Sequence, residues 1–239
     1  MIHRLAAVLP AALLAAAPAL AQDFRGAELS VEALAFDRDD ADTFSNYRGS
    51  AEMGLLGGFA VAGDLSIYDF GDSDDGIRNF TLHGLTDALP FATVGLFYAR
   101  DSSDDASSDA FGLEAARSFG GLAAEGYLGL GDEDGDDFRL AGFDGTFDLA
   151  PSVALTGSGA YLDANGGNVG RLSVGGEYRF AGGRGPALYA EIGRVGAEDD
   201  ATGVEDGSTF LGIGARIAIG PNGGTTFGSR GLGEVPGGF

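Results

Sequence analysis

His83 is the residue of this 239-residue sequence that most suggests chemistry, because it is one of only two histidines and the chain has no cysteine. Thiolate metal sites, cysteine nucleophiles, disulfides and histidine-rich metal centres are therefore excluded as function classes. Folding the sequence about residues 71–76 places Asp64 opposite His83, with Ser66 nearby. Ser66 and His83 could act as a hydrolytic nucleophile and base. Asp64 and His83 would instead form an ion pair without a catalytic role, and we favour that interpretation.

Residues 132–137 (DEDGDD) are a second candidate, because their side-chain oxygens are spaced in a way that Ca²⁺ can use. The rest of an EF-hand is missing, and no helix is expected on either side. We interpret the segment as a solvated acidic loop. Such loops together could attract divalent cations that also bridge lipid headgroups, and no cofactor is expected.

The net charge of the chain limits the classes of molecule that it can bind. Lys and Arg number 14 against 36 Asp and Glu, which gives a net charge of −22. A surface this acidic repels phosphate backbones, so nucleic acid is excluded as a partner.

Residues 1–21 have the composition of a signal peptide. Arg4 provides the positive start, an Ala- and Leu-rich stretch follows, and residues 19–21 (ALA) form a small-x-small cleavage site before Gln22. No later run approaches the roughly 20 apolar residues of a membrane-spanning helix. We expect an exported chain with 1–21 removed.

Beyond this leader the sequence alternates between polar and apolar residues with a period of two, which is typical of β-strands. The clearest case is Val153 to Tyr161, where Leu155 and Thr156 fall on opposite faces. The alternation predicts twelve strands, at 26–36, 43–56, 59–70, 77–86, 90–100, 110–119, 122–131, 138–149, 152–162, 169–180, 187–197 and 208–219.

The connections between these strands alternate strictly between short and acidic ones. The short connections are at 57–58, 87–89, 120–121, 150–151 and 181–186. The acidic ones are at 37–42, 71–76, 101–109, 132–137, 163–168 and 198–207, and they hold well over half of the acidic residues. This pattern predicts an up-and-down meander whose two ends face different environments. Alternating faces alone would also fit a soluble barrel, but the leader, the even strand number and the two-ended pattern favour a transmembrane barrel.

The mature sequence resembles the porin-like outer-membrane β-barrels in this pattern. The predicted last strand carries Gly212, Gly214, Ile217 and Ile219, which are similar to the family's C-terminal assembly signal. The resemblance implies that the outer-membrane assembly machinery and outer-membrane lipid are partners. Barrel residues would be 22–219, and a Gly-rich C-terminal segment at 220–239 departs from the family, whose chains usually end on an aromatic residue within the last strand. This segment would lie either in the periplasm or in the lumen, unless the last strand is not at 208–219.

The apolar face of the predicted barrel should contact lipid. Leu128, Leu155, Val174 and Ile217 are expected near the membrane midplane. Because the chain has no tryptophan, tyrosines near the strand ends would have to form the interfacial girdle. These tyrosines are Tyr47, Tyr98, Tyr161 and Tyr178.

The polar face carries many carboxylates, and this predicts the function. A ring of carboxylates in a water-filled pore favours cations, so we expect a non-enzymatic porin-like channel of the outer membrane for small hydrophilic, preferentially cationic solutes. The predicted pore-lining residues are Glu32, Glu52, Asp64, His83, Glu114, Glu125, Asp144, Arg171, Glu177, Glu191 and Arg216.

Two alternatives remain open. A structural or surface-interaction barrel would have a filled lumen, with these residues paired in a salt-bridge network around Arg216. An outer-membrane phospholipase-type enzyme would use Ser66 and His83, but that chemistry needs both residues on the lipid face and both are predicted to point into the lumen.

Overall fold

The computed structural model describes residues 24–37, 43–71, 76–104, 106–164, 166–181, 185–199 and 204–234. The predicted signal peptide and parts of the predicted acidic connections lie outside these ranges. No helix among the described residues is long and apolar enough to cross a membrane.

Twelve antiparallel strands close into one barrel, as the alternation predicts. The strands are β1 (Phe24–Phe36), β2 (Thr43–Gly54), β3 (Phe59–Asp69), β4 (Ile77–Thr86), β5 (Thr93–Ser102), β6 (Ser107–Phe119), β7 (Leu122–Glu133), β8 (Asp136–Ala150), β9 (Val153–Ala164), β10 (Gly167–Arg179), β11 (Ala187–Asp199) and β12 (Val204–Ile219). Each strand pairs with its neighbours in sequence, and β1 closes the barrel against β12 from Ala27 opposite Ile219 to Phe36 opposite Phe210. The predicted fold class is confirmed.

The strands extend further into the acidic segments than predicted. The clearest correction is at 132–137, where Glu133 pairs with Asp136 and only Asp134 and Gly135 form the turn. Both turn residues have positive φ, 53° and 97°, as in the tight hairpin turns whose twist matches that of the strands. The predicted six-residue loop is therefore wrong, since four of its acidic residues belong to the strand ladder.

The two faces of the wall differ as expected for a transmembrane barrel. Outward side chains are large and apolar, and Leu128 and Val174 are 67% and 61% exposed. The four predicted girdle tyrosines are also exposed on this face. Leu155 and Ile217 lie only two residues from the inner ends of β9 and β12, where short turns connect the strands. They are thus closer to one membrane boundary than Leu128 and Val174.

Several strand glycines make room for aromatic rings from the neighbouring strand. Gly214 lies opposite Tyr189 in the ladder, and a Cβ at Gly214 would come within 2.2 Å of the tyrosine ring. Gly193 and Phe210 form a similar pair, because a Cβ at Gly193 would lie 2.3 Å from the phenylalanine ring. At these positions a poor strand-forming residue is required by the close approach of a ring.

Apolar side chains also fill part of the lumen near the outer end, the end opposite the short turns. Leu34, Phe44, Tyr68, Val195 and Phe210 form this outer cluster and are almost completely buried. Other apolar clusters lie elsewhere in the lumen, including one of Ala60, Ala62, Leu85 and Phe227 near the inner end, so apolar and polar side chains share the inner face of the wall.

Candidate functional site

All eleven predicted pore-lining residues face the lumen, where the structure divides them into two groups. The first group lines a cavity of about 880 Å³ that we call the vestibule, and consists of Glu32, Glu125, Asp144, Arg171, Glu177, Glu191 and Arg216. The second group lies beneath the chain's own C-terminal segment and consists of Glu52, Asp64, His83 and Glu114. Whether any of them lines a conducting pore stays a prediction.

The vestibule runs along the inside of the barrel from the inner end. Its walls include Arg25 and Asp87 beside the short turns, and Phe44 and Tyr68 of the outer cluster. Thr156, which the alternation places on the polar face, lines it as well.

The segment that follows β12 turns into the barrel and lies in the lumen beside the vestibule. We call residues 222–234 the tail. At the inner end the Asn222 amide donates a hydrogen bond to the Arg25 carbonyl. The Thr226 amide then donates to Glu52 Oε2 over 2.7 Å, so Glu52 is completely buried. Of the two positions that the sequence left open for this segment, the structure shows the lumenal one for the tail.

Further along, the tail binds the wall through its backbone. Asn79 donates to the Arg230 carbonyl over 2.6 Å, and the Arg230 amide donates to the Thr81 hydroxyl. The Leu232 amide donates to Asp101 Oδ2 over 2.9 Å. These contacts follow β4 and β5 towards the outer end, so the tail spans most of the height of the lumen.

Arg230 is the most deeply buried charged group of the tail, with 1% of its surface exposed. Its guanidinium lies 3.2 Å from Glu114 on β6 and 3.4 Å from Glu125 on β7. The ring of Tyr127, also on β7, lies 4.3 Å from the guanidinium carbon. Glu114, Glu125 and Tyr127 form what we call the Arg230 pocket.

His83 lies between two carboxylates, and these contacts show which of its candidate partners it binds. Its Nε2 lies 2.9 Å from Asp64 and its Nδ1 lies 2.7 Å from Glu114, while Phe227 of the tail stacks on its ring. The favoured Asp64–His83 pair is present. The Ser66 hydroxyl has no hydrogen-bond partner among the described residues, so the Ser66–His83 pair is not formed.

Glu234 ends the described part of the tail and is held by three groups. Arg48 lies 2.6 Å away, and the hydroxyls of Ser229 and Tyr68 donate over 2.5 Å and 2.9 Å. Burial disfavours the charged form of Glu234, but Arg48 and these hydrogen bonds outweigh that effect and hold its pKa below the usual value.

Ion pairs connect most of the remaining lumenal carboxylates. Arg216 lies 2.6 Å from Glu177, and Arg171 bonds Glu191. Glu32 and Asp144 have no basic partner within 4.0 Å in the described part of the chain. The predicted salt-bridge network centres on Arg230 as much as on Arg216. Arg230 contacts both Glu125 and Glu114, and Glu114 in turn contacts His83.

Arg230 and Glu234 are the site residues that the sequence did not reveal. The tail has no periodicity that would place it on a face, and neither residue belongs to a motif. The one available signal was the presence of an arginine in a long segment after the last strand.

Comparisons with known proteins give a clear result for the fold. No protein-family model matches the sequence, and no curated protein matches it either. Among solved structures, an outer membrane channel from Pseudomonas putida F1 matches with a TM-score of 0.59 at 8% identity, covering 82% of this chain and 96% of the channel.

Two porins give similar matches. The KdgM porin has a TM-score of 0.55 at 9% identity, covering 79% of this chain and 97% of the porin. The NanC porin has a TM-score of 0.56 at 9% identity, covering 78% and 98%. The chain has the fold of a porin-like outer-membrane β-barrel. Identities this low show the fold alone, and they agree with the resemblance drawn from the strand pattern.

Proposed function

We propose that the chain is an outer-membrane channel that admits small hydrophilic cations. The observation that carries this proposal is the vestibule, a polar cavity of about 880 Å³ inside a closed barrel with an apolar outer surface. Closure of the barrel pairs the backbone N–H and C=O groups, which lipid cannot do. The similar fold of the KdgM and NanC porins supports a location in the outer membrane.

The charge of the vestibule supports the preference for cations. Glu32 and Asp144 lack a basic partner among the described residues, and both line the cavity. Carboxylates in a narrow aqueous passage attract cations and repel anions. The net charge of −22 should further raise the local cation concentration.

A reversal potential across a KCl gradient in a planar bilayer tests the proposal. The wild-type protein should prefer K⁺ over Cl⁻, and the preference should weaken in 1 M salt, where the screening length falls to about 3 Å. Glu32→Gln with Asp144→Asn should reduce the preference. Asp109→Asn is a matched control, because Asp109 pairs with Arg100 on exposed side chains outside the vestibule. A preference for anions would refute the proposal.

The tail favours a second candidate, a barrel with a filled lumen that serves a structural or surface-interaction role. The supporting observation is that the tail and the outer cluster bury much of the lumenal face. The same bilayer experiment separates the two candidates, because a filled barrel would give no conductance at any KCl concentration. An enzyme has no comparable support, since both ring nitrogens of His83 contact carboxylates.

A further inference from the structure

The Arg230 pocket has the chemistry of a site for an organic cation. Two carboxylates from different strands approach different nitrogens of one guanidinium, and an aromatic ring lies 4.3 Å from its carbon. Delocalised cations bind such surroundings well because they are weakly hydrated and can contact an aromatic face.

The walls of this pocket belong to the barrel and not to the tail. Glu114 lies on β6, while Glu125 and Tyr127 lie on β7, and these two strands pair from Ser108 opposite Glu133 to Phe119 opposite Leu122. The tail forms no part of the strand ladder. The barrel wall therefore fixes the positions of the pocket residues. Arg230 occupies the pocket and is linked to the wall by the tail.

The vestibule and a second cavity share wall residues next to this occupant. A smaller cavity of about 80 Å³ touches Arg230 and Tyr127. It shares Glu125 and Asp144 with the vestibule. Glu125 is thus both a ligand of the Arg230 guanidinium and part of the vestibule wall.

We propose that the Arg230 pocket is a binding site for solutes carrying a guanidinium group, and that the tail is an intramolecular plug that occupies it with Arg230. The inference rests on the proposed function in that such solutes would arrive through the cation-admitting vestibule. A guanidinium fits better than an ammonium, because its planar fork can contact Glu114 and Glu125 while lying against Tyr127.

The tail and a free solute must then exclude each other. Because Arg230 is tethered, it competes at an effective concentration in the millimolar range for a short flexible connection. A free guanidinium compound should therefore bind weakly to the wild-type chain and more strongly once Arg230 is shortened.

The first experiment measures thermal unfolding of the full-length Arg230→Ala protein in detergent, titrated with ethylguanidinium. We expect a saturable rise in Tm, with ethylammonium roughly tenfold weaker, the difference expected for the loss of one charge-assisted hydrogen bond. Arg139→Ala is the matched control, since Arg139 is exposed outside the pocket. The absence of a rise in Arg230→Ala, an equal rise in Arg139→Ala, or equal potency of ethylammonium would overturn the site.

A second experiment keeps Arg230 and follows the tail. Ser229 is buried, and the chain has no cysteine, so Ser229→Cys provides a single reporter thiol. Its alkylation by iodoacetamide should be slow and should accelerate several-fold with saturating ethylguanidinium, but not with NaCl at equal ionic strength. An unchanged rate would overturn the competition with the tail. Neither readout depends on conductance, so failure of this inference and failure of the proposed channel are distinguishable.

Discussion

Successive side chains along a strand of this barrel point alternately to the outer face and to the lumen. Val174 is exposed on the outer face, while Thr156, on the neighbouring strand, lines the vestibule. This assignment could be made from the sequence, because a two-residue alternation states which face each side chain occupies.

Arginine substitution should reveal this difference. Val174→Arg should lower the free energy of unfolding by about 2–4 kcal/mol, because it places a charge in lipid near the midplane, whereas Thr156→Arg should cost much less. Urea unfolding of both variants in the same lipid vesicles measures the difference. Equal costs would mean that the outer face is not in contact with lipid.

Glu114 illustrates a buried charge with two partners. It contacts both His83 and Arg230, so Glu114→Ala removes one of the two carboxylates that each of these buried groups contacts and should cost about 1–3 kcal/mol. Asp109→Ala removes an exposed partner of Arg100 and should cost much less. Equilibrium unfolding of both variants provides the comparison, and a small cost at Glu114 would contradict the buried cluster.

The sequence revealed the carboxylate but not its partner. Glu114 was placed on the polar face by parity alone. Arg230 lies 116 residues away in a segment without periodicity, so its position depends on the folded tail and could not be derived from strand rules.

Among the structural elements, the tail depends on close backbone contact with the wall. Gly231 has φ of 143°, and a Cβ there would lie 2.4 Å from Asp101 and 2.5 Å from Asn79. These are two of the groups that hold the tail. Glycine is therefore required both for conformation and for space.

Gly231→Ala should consequently loosen the tail, and trypsin should cleave after Arg230 faster than in the wild type. Gly228→Ala is the control, because its nearest neighbour would lie 3.4 Å away, and its cleavage rate should stay close to that of the wild type. Mass spectrometry of the shortened chain identifies the cleavage. Equal rates for the two variants would argue against tight docking at Gly231.

Strand number could be predicted because every strand alternates and every connection interrupts that alternation. Strand length could not be predicted at residues 132–137, where acidic side chains were interpreted as a loop. Acidic residues are poor strand formers, but hydrogen bonding across the β7–β8 hairpin outweighs that preference.

For the whole molecule, the two ends of the barrel define an orientation. Closure of β1 against β12 brings the start of the barrel and the start of the tail to the inner end, and we predict that this end lies on the periplasmic side. A tag inserted between Ser103 and Asp104 should react with antibody on intact cells, and a tag between Gly120 and Gly121 should not. The reverse labelling would invert the barrel in the membrane.

The position of the tail after β12 also has a genetic consequence. A stop codon just after β12 would remove Arg230 and Glu234 while leaving all twelve wall strands encoded. The same is true of a frameshift confined to that short stretch of the gene. Mutations there would change what occupies the lumen without changing the wall, so permeability could evolve separately from barrel architecture.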